Sequence, residues 1–293
     1  MQERVEYYQP SSLEELNEIL PKLTKKSAIL AGGTDLLITV RDKHPEIDCW
    51  LSLWSVKELW KIEETGAFLK IGAMVTHSQA AKHPLIKKYF QALSMSCGKV
   101  GSQQVRNKGT LAGSIANASP AGDIMPCMYL FDGEIELLSS EGIRRIKAKK
   151  YLDDEIRRKK EIREVITALY LPIDKSKKSC FVKLGSRREV TIAQISMCVS
   201  WKESCEERKE ITAYVGAIDR KPVEFDGCRW LSGKEEIEKS GEEASKILRE
   251  QIKNVRLNRK RESKMKFTQE EKLYKERAAK GVIFDVLELM EAQ

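Results

Sequence analysis

The stretch of sequence on which the fold depends reads RNKGTLAGSIANASPAGD and runs from Arg106 to Asp123. It places glycines among hydroxyl and amide side chains and closes on a proline and an acid. Small residues of this kind let a backbone turn sharply and approach a ligand closely. Successive N–H groups and hydroxyls can then surround an anion such as phosphate. The composition alone fits a glycine-rich ligand loop and a polar surface loop equally well.

A second run of the same character, ILAGGTDLLI from Ile29 to Ile38, favours the ligand interpretation. Its apolar start predicts a strand that ends at Gly32 and Gly33, and Thr34 and Asp35 are residues that often cap helices. The outline is that of a strand–turn–helix phosphate site. The spacing of the glycines does not match the G-x-G-x-x-G fingerprint. The run is not a P-loop either, because no lysine follows the glycines.

Bulk composition predicts a cytoplasmic protein with two or three domains. The chain has 293 residues, 41% of them hydrophobic, and a net charge of +8. No uninterrupted apolar run reaches the roughly 18 residues of a membrane span. The N-terminus carries acids where a secretory leader would be basic and then apolar.

The metal-binding residue types are scattered. Seven cysteines form no C-x-x-C pair, and the three histidines lie far from most of them. We therefore expect reduced thiols and no zinc or iron–sulfur site built by this chain. His77 stands at a predicted helix start without a Ser, Cys or acid at a recognisable partner spacing, so we expect it to cap or pack and not to act as a base.

Most of the positive charge falls between Arg249 and Lys280, where twelve Lys/Arg face five Glu, giving 12 − 5 = +7. Such a segment suits nucleic acid, an acidic partner subunit or solvent alone. It lacks interleaved aromatic residues and any nucleic-acid motif. We therefore expect no nucleic-acid partner.

Two apolar runs in the second half predict a strand hairpin. Val165–Leu171 is stopped by Pro172, and a lysine-rich turn leads to Cys180–Leu184. The last third of the chain reads as a separate α+β domain, with two strands followed by two helices.

Three motifs together resemble the flavoprotein (medium) subunit of the molybdenum hydroxylases, the family of xanthine dehydrogenase and carbon monoxide dehydrogenase. ILAGGTDLL is similar to the first pyrophosphate loop of that family. VRNKGTLAGSIANASPAGD is similar to its second signature, with Ala112 and Ser114 where Gly and Asn are usual. Lys183–Glu189 is similar to its K-x-x-x-R-R-E segment. The overall pattern is most similar to the FAD-binding subunit of bacterial xanthine dehydrogenases.

The resemblance implies an α+β fold. It consists of a two-lobed FAD-binding domain of the vanillyl-alcohol-oxidase (PCMH) type over 1–175, with lobes at about 1–55 and 56–175. A small C-terminal α+β domain, like that of the carbon monoxide dehydrogenase flavoprotein, would follow over 176–293.

The resemblance also implies roles for individual positions. Ile29–Asp35 would surround the FAD pyrophosphate and ribose, and Thr110–Ser114 would add phosphate contacts. Asp123 would hold a sugar or ribityl hydroxyl, Ile166 would pack on a ring, and Lys183 would place a cation near the isoalloxazine. The full set is Ile29, Leu30, Ala31, Gly32, Gly33, Thr34, Asp35, Leu36, Thr110, Leu111, Ala112, Gly113, Ser114, Asp123, Ile166 and Lys183.

The implied function is electron transfer in an oxidoreductase whose leading substrates are purines such as xanthine or hypoxanthine, with nicotinate, aldehydes and carbon monoxide as open alternatives. Electrons would pass from a molybdopterin-binding large subunit through [2Fe-2S] clusters on a small subunit to FAD here, and then to NAD or another acceptor. The implied assembly is a dimer of heterotrimers. A stand-alone FAD oxidoreductase and a flavin-binding assembly module with little turnover are the alternatives.

Overall fold

Contacts between residues divide the chain into two units, each assembled from three segments. The computed structural model describes residues 5–151, 153, 164–187, 190–205, 207–233, 237–257 and 269–293. The first unit comprises Met1–Ala80, Ser102–Ala118 and Phe131–Ile173, and the second comprises Ala81–Gly101, Ser119–Leu130 and Asp174–Gln293. The domain boundary at 175 stays a prediction. By its contacts, the second unit also includes two segments upstream of that position.

The first unit contains two sheets. One is a three-stranded parallel sheet of order β1-β3-β2, and the other is a five-stranded antiparallel sheet of order β4-β5-β8-β6-β7. Its elements are β1 (Glu6–Tyr8), α1 (Leu13–Ile19), β2 (Ala28–Leu30), α2 (Leu36–Lys43), β3 (Cys49–Ser52), β4 (Ile62–Thr65), β5 (Phe68–Gly72), α3 (His77–Lys82, which ends in the second unit), α6 (Gln103–Lys108), α7 (Leu111–Asn117), β6 (Glu134–Ser139), β7 (Gly142–Lys147), α9 (Ala148–Tyr151) and β8 (Val165–Pro172).

Local sequence explains how these elements begin. The three-residue spacing of Ser12 and Glu15 predicts a capping box, and the structure confirms the cap, because the Ser12 side chain accepts a hydrogen bond from the Glu15 N–H at the start of α1. Strand β8 is buried from Val165 through Leu171, so it requires a sheet neighbour on each side and cover on each face. It obtains the neighbours from β5 and β6.

The second unit is an antiparallel sheet of order β12-β11-β10-β9 with helices packed on it. Trp201, Phe181 and Phe225 are fully buried, and the Trp201 indole N–H donates to a carboxylate of Glu203. Its elements are α4 (Pro84–Tyr89), α5 (Gln91–Gly98), α8 (Ile124–Leu130), β9 (Lys177–Gly185), β10 (Ala193–Lys202), β11 (Lys209–Gly216), β12 (Val223–Glu224), α10 (Ile237–Leu257) and α11 (Gln269–Glu291).

The predicted hairpin between Val165–Leu171 and Cys180–Leu184 is wrong. Strand β8 pairs with β5 and β6, whereas β9 pairs with β10. A short polar connection makes a hairpin possible, but it does not decide which edge each strand joins. The two strands belong to different sheets in different units.

The opening stretch is more helical than its glycine content predicts. Helix α6 is capped by the Ser102 side chain, which accepts from the Val105 N–H, and α7 is capped in the same way by Thr110. Glycine-rich sequence therefore builds two short capped helices here, not a continuous loop.

The C-terminal third of the chain is an α+β region with long helices. The strands and helices of the last third form as predicted, although residues 258–268 of the basic segment lie outside the described residues. In the described part of the chain, no helix combines the length and apolarity that a membrane crossing requires.

Candidate functional site: a donor-lined cavity and a buried ion pair

The loop from Ala31 to Asp35 joins β2 to α2 and leaves its backbone donors free. No described residue accepts a hydrogen bond from the N–H groups of Gly32, Gly33, Thr34 or Asp35. Asp35 occupies the N-cap position of α2, but its side chain makes no capping bond. Gly33 has a φ of +72°, a left-handed conformation that glycine adopts without strain. The loop therefore presents consecutive N–H groups that the protein itself does not use.

Gly32 holds this loop against the turn between α6 and α7. A Cβ atom on Gly32 would lie 2.0 Å from the carbonyl oxygen of Lys108 and 2.9 Å from the Cα of Gly109. Gly109 is itself confined, because a Cβ there would lie 3.2 Å from Thr34 Oγ1. Only glycine fits at position 32. Because it has no side chain, the loop can lie directly against the segment that leads into Thr110, so the two predicted phosphate segments meet here.

Helix α7 turns two hydroxyl groups toward one face, because Thr110 and Ser114 are four residues apart. Thr110 Oγ1 accepts a hydrogen bond from the Gly113 N–H at 3.0 Å. Ser114 Oγ lies 2.9 Å from Nε2 of His77. Both hydroxyl oxygens therefore have a protein partner before any ligand binds.

His77 reaches Ser114 because the starts of α3 and α7 are joined through their backbones. Thr76 and Thr110 form an isolated antiparallel bridge, and the His77 N–H donates to the Gly109 carbonyl at 3.0 Å. The His77 side chain is buried, and burial, with a smaller contribution from the charge of Arg106, lowers its pKa from 6.5 to about 4. At neutral pH the imidazole is therefore uncharged.

These segments line a cavity of about 560 Å³ in the first unit, within the usual range for small-molecule sites. It brings together twelve of the sixteen predicted positions: Ile29, Ala31, Gly32, Gly33, Thr34, Asp35, Leu36, Thr110, Ala112, Gly113, Ser114 and Ile166. Leu30 and Leu111 are outside the lining, in β2 and in the buried first turn of α7.

Sequence reasoning missed nine further lining residues: Thr39, Leu53, Ala73, Ala116, Asn117, Leu137, Tyr151, Glu164 and Val165. The signal for Asn117 was present, since it lies inside the quoted stretch. Glu164 had none. Its carboxylate is held by a two-pronged contact with Arg144, at 2.6 and 2.8 Å.

Asp123 and Lys183 lie in the second unit and are partners of each other. Lys183 Nζ donates to Asp123 Oδ2 at 2.6 Å and to the Lys99 carbonyl at 3.0 Å. Both side chains are only 5% exposed. Burial raises the pKa of Asp123 to about 6, although Lys183 and Lys99 oppose the shift. The pairing was invisible in the sequence, because the two residues are 60 positions apart.

The donors that line the first-unit cavity fit the chemistry of a phosphate-bearing cofactor. Free N–H groups and hydroxyls suit a pyrophosphate, and backbone can approach closely at Gly32. In the second unit Asp123 Oδ1 is buried with no hydrogen-bond partner among the described residues, so one acceptor of the carboxylate stays unsatisfied by the protein.

Residues 3–174 match the family model described as the FAD binding domain in molybdopterin dehydrogenase. The chain belongs to this family. Membership rests on more than half of its length and confirms the resemblance seen in the motifs.

Two curated relatives place the chain within the FAD-binding family. The nicotinate dehydrogenase FAD-subunit of Eubacterium barkeri is 33% identical over 195 residues, covering 65% of this chain and 66% of that subunit. The nicotine 6-hydroxylase medium subunit of Paenarthrobacter nicotinovorans is 28% identical over 168 residues, covering 57% and 59%. The matches thus span about three fifths to two thirds of these relatives.

A solved structure confirms the fold. A chain of reconstituted CO dehydrogenase from Oligotropha carboxidovorans superposes with a TM-score of 0.80 at 19% identity, covering 97% of this chain and 96% of that one. At this identity the likeness concerns the fold, which is the α+β FAD-domain architecture that the resemblance implies.

In the described ranges, no cluster of three or more His, Cys, Asp or Glu is arranged to hold a metal ion. Arg188 and Glu189, the end of the third motif, lie outside the described residues. The motif can therefore be followed only through Arg187.

Proposed function

We propose that this chain is the FAD-carrying electron-transfer subunit of a molybdenum hydroxylase. A [2Fe-2S] small subunit and a molybdopterin-binding large subunit would be its partners, in a dimer of heterotrimers. The observation that carries the proposal is the first-unit cavity, where unused N–H donors and hydroxyls converge in a chain of the FAD-binding family.

Bound FAD would supply the redox chemistry, and the protein would supply binding and orientation. The N–H groups of Gly32–Asp35 and the hydroxyls of Thr110 and Ser114 would hold the pyrophosphate, and neutral donors suit this task because their burial costs less than that of charges. Ile166 would pack against a ring.

In the second unit, Asp123 Oδ1 would accept a bond from a sugar or ribityl hydroxyl. Lys183 would place a positive charge near the isoalloxazine, where it favours any negative charge that develops. Its ammonium is fixed by Asp123 and by the Lys99 carbonyl, so its position is set before a ligand arrives.

We propose purines, xanthine and hypoxanthine, as the first substrates to test, with NAD as the electron acceptor. Support for purines comes from the motif pattern, which resembles bacterial xanthine dehydrogenase subunits. The relatives named for nicotinate and nicotine support nitrogen heterocycles more broadly.

The first experiment is to purify the full chain, release its flavin by heating and identify it by chromatography. FAD in near-stoichiometric amount supports the proposal, whereas FMN or a colourless protein contradicts it. NADH:dye reductase activity then separates electron transfer from a flavin-binding assembly role without turnover.

The partners require co-expression with the genes that neighbour this one. A complex that contains molybdopterin and iron–sulfur clusters, reduced by hypoxanthine and reoxidised by NAD, supports the whole assignment. Reduction by nicotinate or carbon monoxide alone would keep the electron-transfer role and contradict the purine assignment.

A further inference from the structure

His77 lies behind the cavity lining and touches it through one atom of Ser114. Its side chain is 1% exposed and is absent from the lining, whereas Ser114 is part of the lining. The His77 Nε2–Ser114 Oγ distance is 2.9 Å, and no other described residue bonds to that oxygen. A buried imidazole therefore acts on the ligand space only by way of one hydroxyl.

The other ring nitrogen decides which way this hydrogen bond runs. Nδ1 of His77 is buried with no hydrogen-bond partner among the described residues. A buried N–H without an acceptor is rarer in proteins than an acceptor without a donor. We therefore assign the proton of the neutral ring to Nε2, which then donates to Ser114 Oγ and leaves only a lone pair on Nδ1.

With its oxygen already accepting from His77, the Ser114 hydroxyl has its own hydrogen to donate. Thr110 is in the same state, because its oxygen accepts from the Gly113 N–H. Each hydroxyl therefore has a hydrogen atom to donate toward the cavity, as the recognition of an anion requires.

We propose that His77 is a positioning residue that orients the Ser114 hydroxyl to donate a hydrogen bond to the phosphate-bearing part of the ligand. This inference rests on the FAD-binding function proposed above and adds a residue that does not touch the ligand. Ser114 stands where the family motif carries Asn, whose amide is itself an N–H donor. A serine needs a second group to fix the direction of its hydroxyl, and His77 supplies it.

Four variants of the full chain test this role: His77→Phe, His77→Gln, Ser114→Ala, and the double variant His77→Phe/Ser114→Ala. Phenylalanine keeps the ring volume without the N–H, and glutamine can place an amide N–H near the position of Nε2. The readout is the FAD dissociation constant from fluorescence titration of flavin-free protein. Circular dichroism melting reports folding.

We expect His77→Phe and Ser114→Ala each to weaken FAD binding about tenfold, as for loss of a hydrogen bond to a charged group. The double variant is expected to lose the same tenfold, because both changes remove one interaction. His77→Gln should stay within about threefold of the wild type, since its amide can make the same bond.

A purely structural role for His77 gives a different result. The double variant would then lose the product of the two single losses, or folded His77→Gln would bind as weakly as Ser114→Ala, and either outcome overturns the proposal. If His77→Phe does not fold, the comparison of His77→Gln with Ser114→Ala decides. Failure of the wild type to bind FAD would instead refute the proposed function.

Discussion

The two polar centres of this protein are built in opposite ways. In the first unit, the cavity uses neutral donors that come from short, local segments around Gly32 and Thr110. In the second unit, the buried Asp123–Lys183 pair brings full charges together across 60 positions of sequence. The first-unit cavity has backbone donors without a partner among the described residues, whereas the charges of Asp123 and Lys183 in the second unit neutralise each other.

The difference shows how each centre can be left ready for a ligand. Neutral N–H groups and hydroxyls are tolerable without partners at a cavity wall, where water can solvate them. A buried carboxylate or ammonium is tolerable only with a counter-charge. Substitutions in the first centre should therefore weaken ligand binding mainly by changing its shape, and substitutions in the second should lower stability mainly by changing its charge.

The largest effect is expected from Lys183→Met. It leaves the Asp123 carboxylate buried without its ammonium, and breaking a buried pair in this way costs about 3–5 kcal/mol. Urea unfolding followed by tryptophan fluorescence, to which the buried Trp201 of the same unit contributes, measures the loss.

The matched control is Lys183→Met/Asp123→Leu, which removes both charges. We expect it to recover more than half of the lost free energy of unfolding, because no unpaired charge remains. If the double variant is as unstable as Lys183→Met, the loss arises from packing and the charge argument is wrong.

The pH dependence of stability should have opposite signs in the two centres. Asp123 has a pKa of about 6 against an ordinary 3.8, so the folded state holds the extra proton between these values. Its contribution falls as pH rises through that window, by up to about 3 kcal/mol. His77, lowered from 6.5 to about 4, binds less proton when folded, so its contribution rises with pH from about 4 to 6.5.

Unfolding curves at several pH values for Asp123→Asn and His77→Gln test these signs. Relative to each variant, the wild type should lose stability with rising pH at Asp123 and gain it at His77. Two differences of the same sign would contradict the assignment of one of the groups.

The glycine-rich segments that line the first-unit cavity could be predicted from the sequence. Glycines, hydroxyls and cap residues in Ile29–Asp35 and Thr110–Ser114 act within a few positions of one another, so the pattern carries their geometry. The predicted cap at Ser12 is confirmed for the same reason.

The contacts between side chains that are distant in sequence could not be predicted. Nothing near Lys183 indicates Asp123, and nothing near His77 indicates Ser114, because these contacts depend on how distant segments pair. The hairpin of β8 with β9 is wrong for the same reason, since a strand pattern fixes the strand and not its partner.

A smaller effect, on shape, is expected from Gly32→Ala. Its Cβ would meet the Lys108 carbonyl oxygen at 2.0 Å, with backbone on both sides of the clash. Overpacking of this kind costs about 1–3 kcal/mol of stability. Because the loop must leave the position in which it presents its N–H groups, we expect about 2 kcal/mol of this cost to appear in binding, a roughly 30-fold fall in FAD affinity. Fluorescence titration with FAD measures it.

Gly66→Ala is the matched control in the same unit. Gly66 has a positive φ, +61°, which Gly32 does not, and open space surrounds its Cβ position. It should cost about 1 kcal/mol of stability from backbone strain and leave FAD affinity unchanged. Equal FAD losses in the two variants would show that a general loss of stability, and not the close approach at Gly32, weakens binding.

The smallest effect separates capping from ligand binding with two helix caps of the same unit. Thr110→Ala and Ser102→Ala each remove a side chain that caps a short helix, and each should cost about 1 kcal/mol of stability. Only Thr110 lines the cavity, so only its loss should also weaken FAD binding, by about threefold to tenfold. Thermal melting and FAD titration are measured on both variants. Equal FAD affinity in the two would mean that the Thr110 hydroxyl serves α7 alone, and the cavity would then depend on Ser114 and the Gly32–Asp35 backbone for its phosphate contacts.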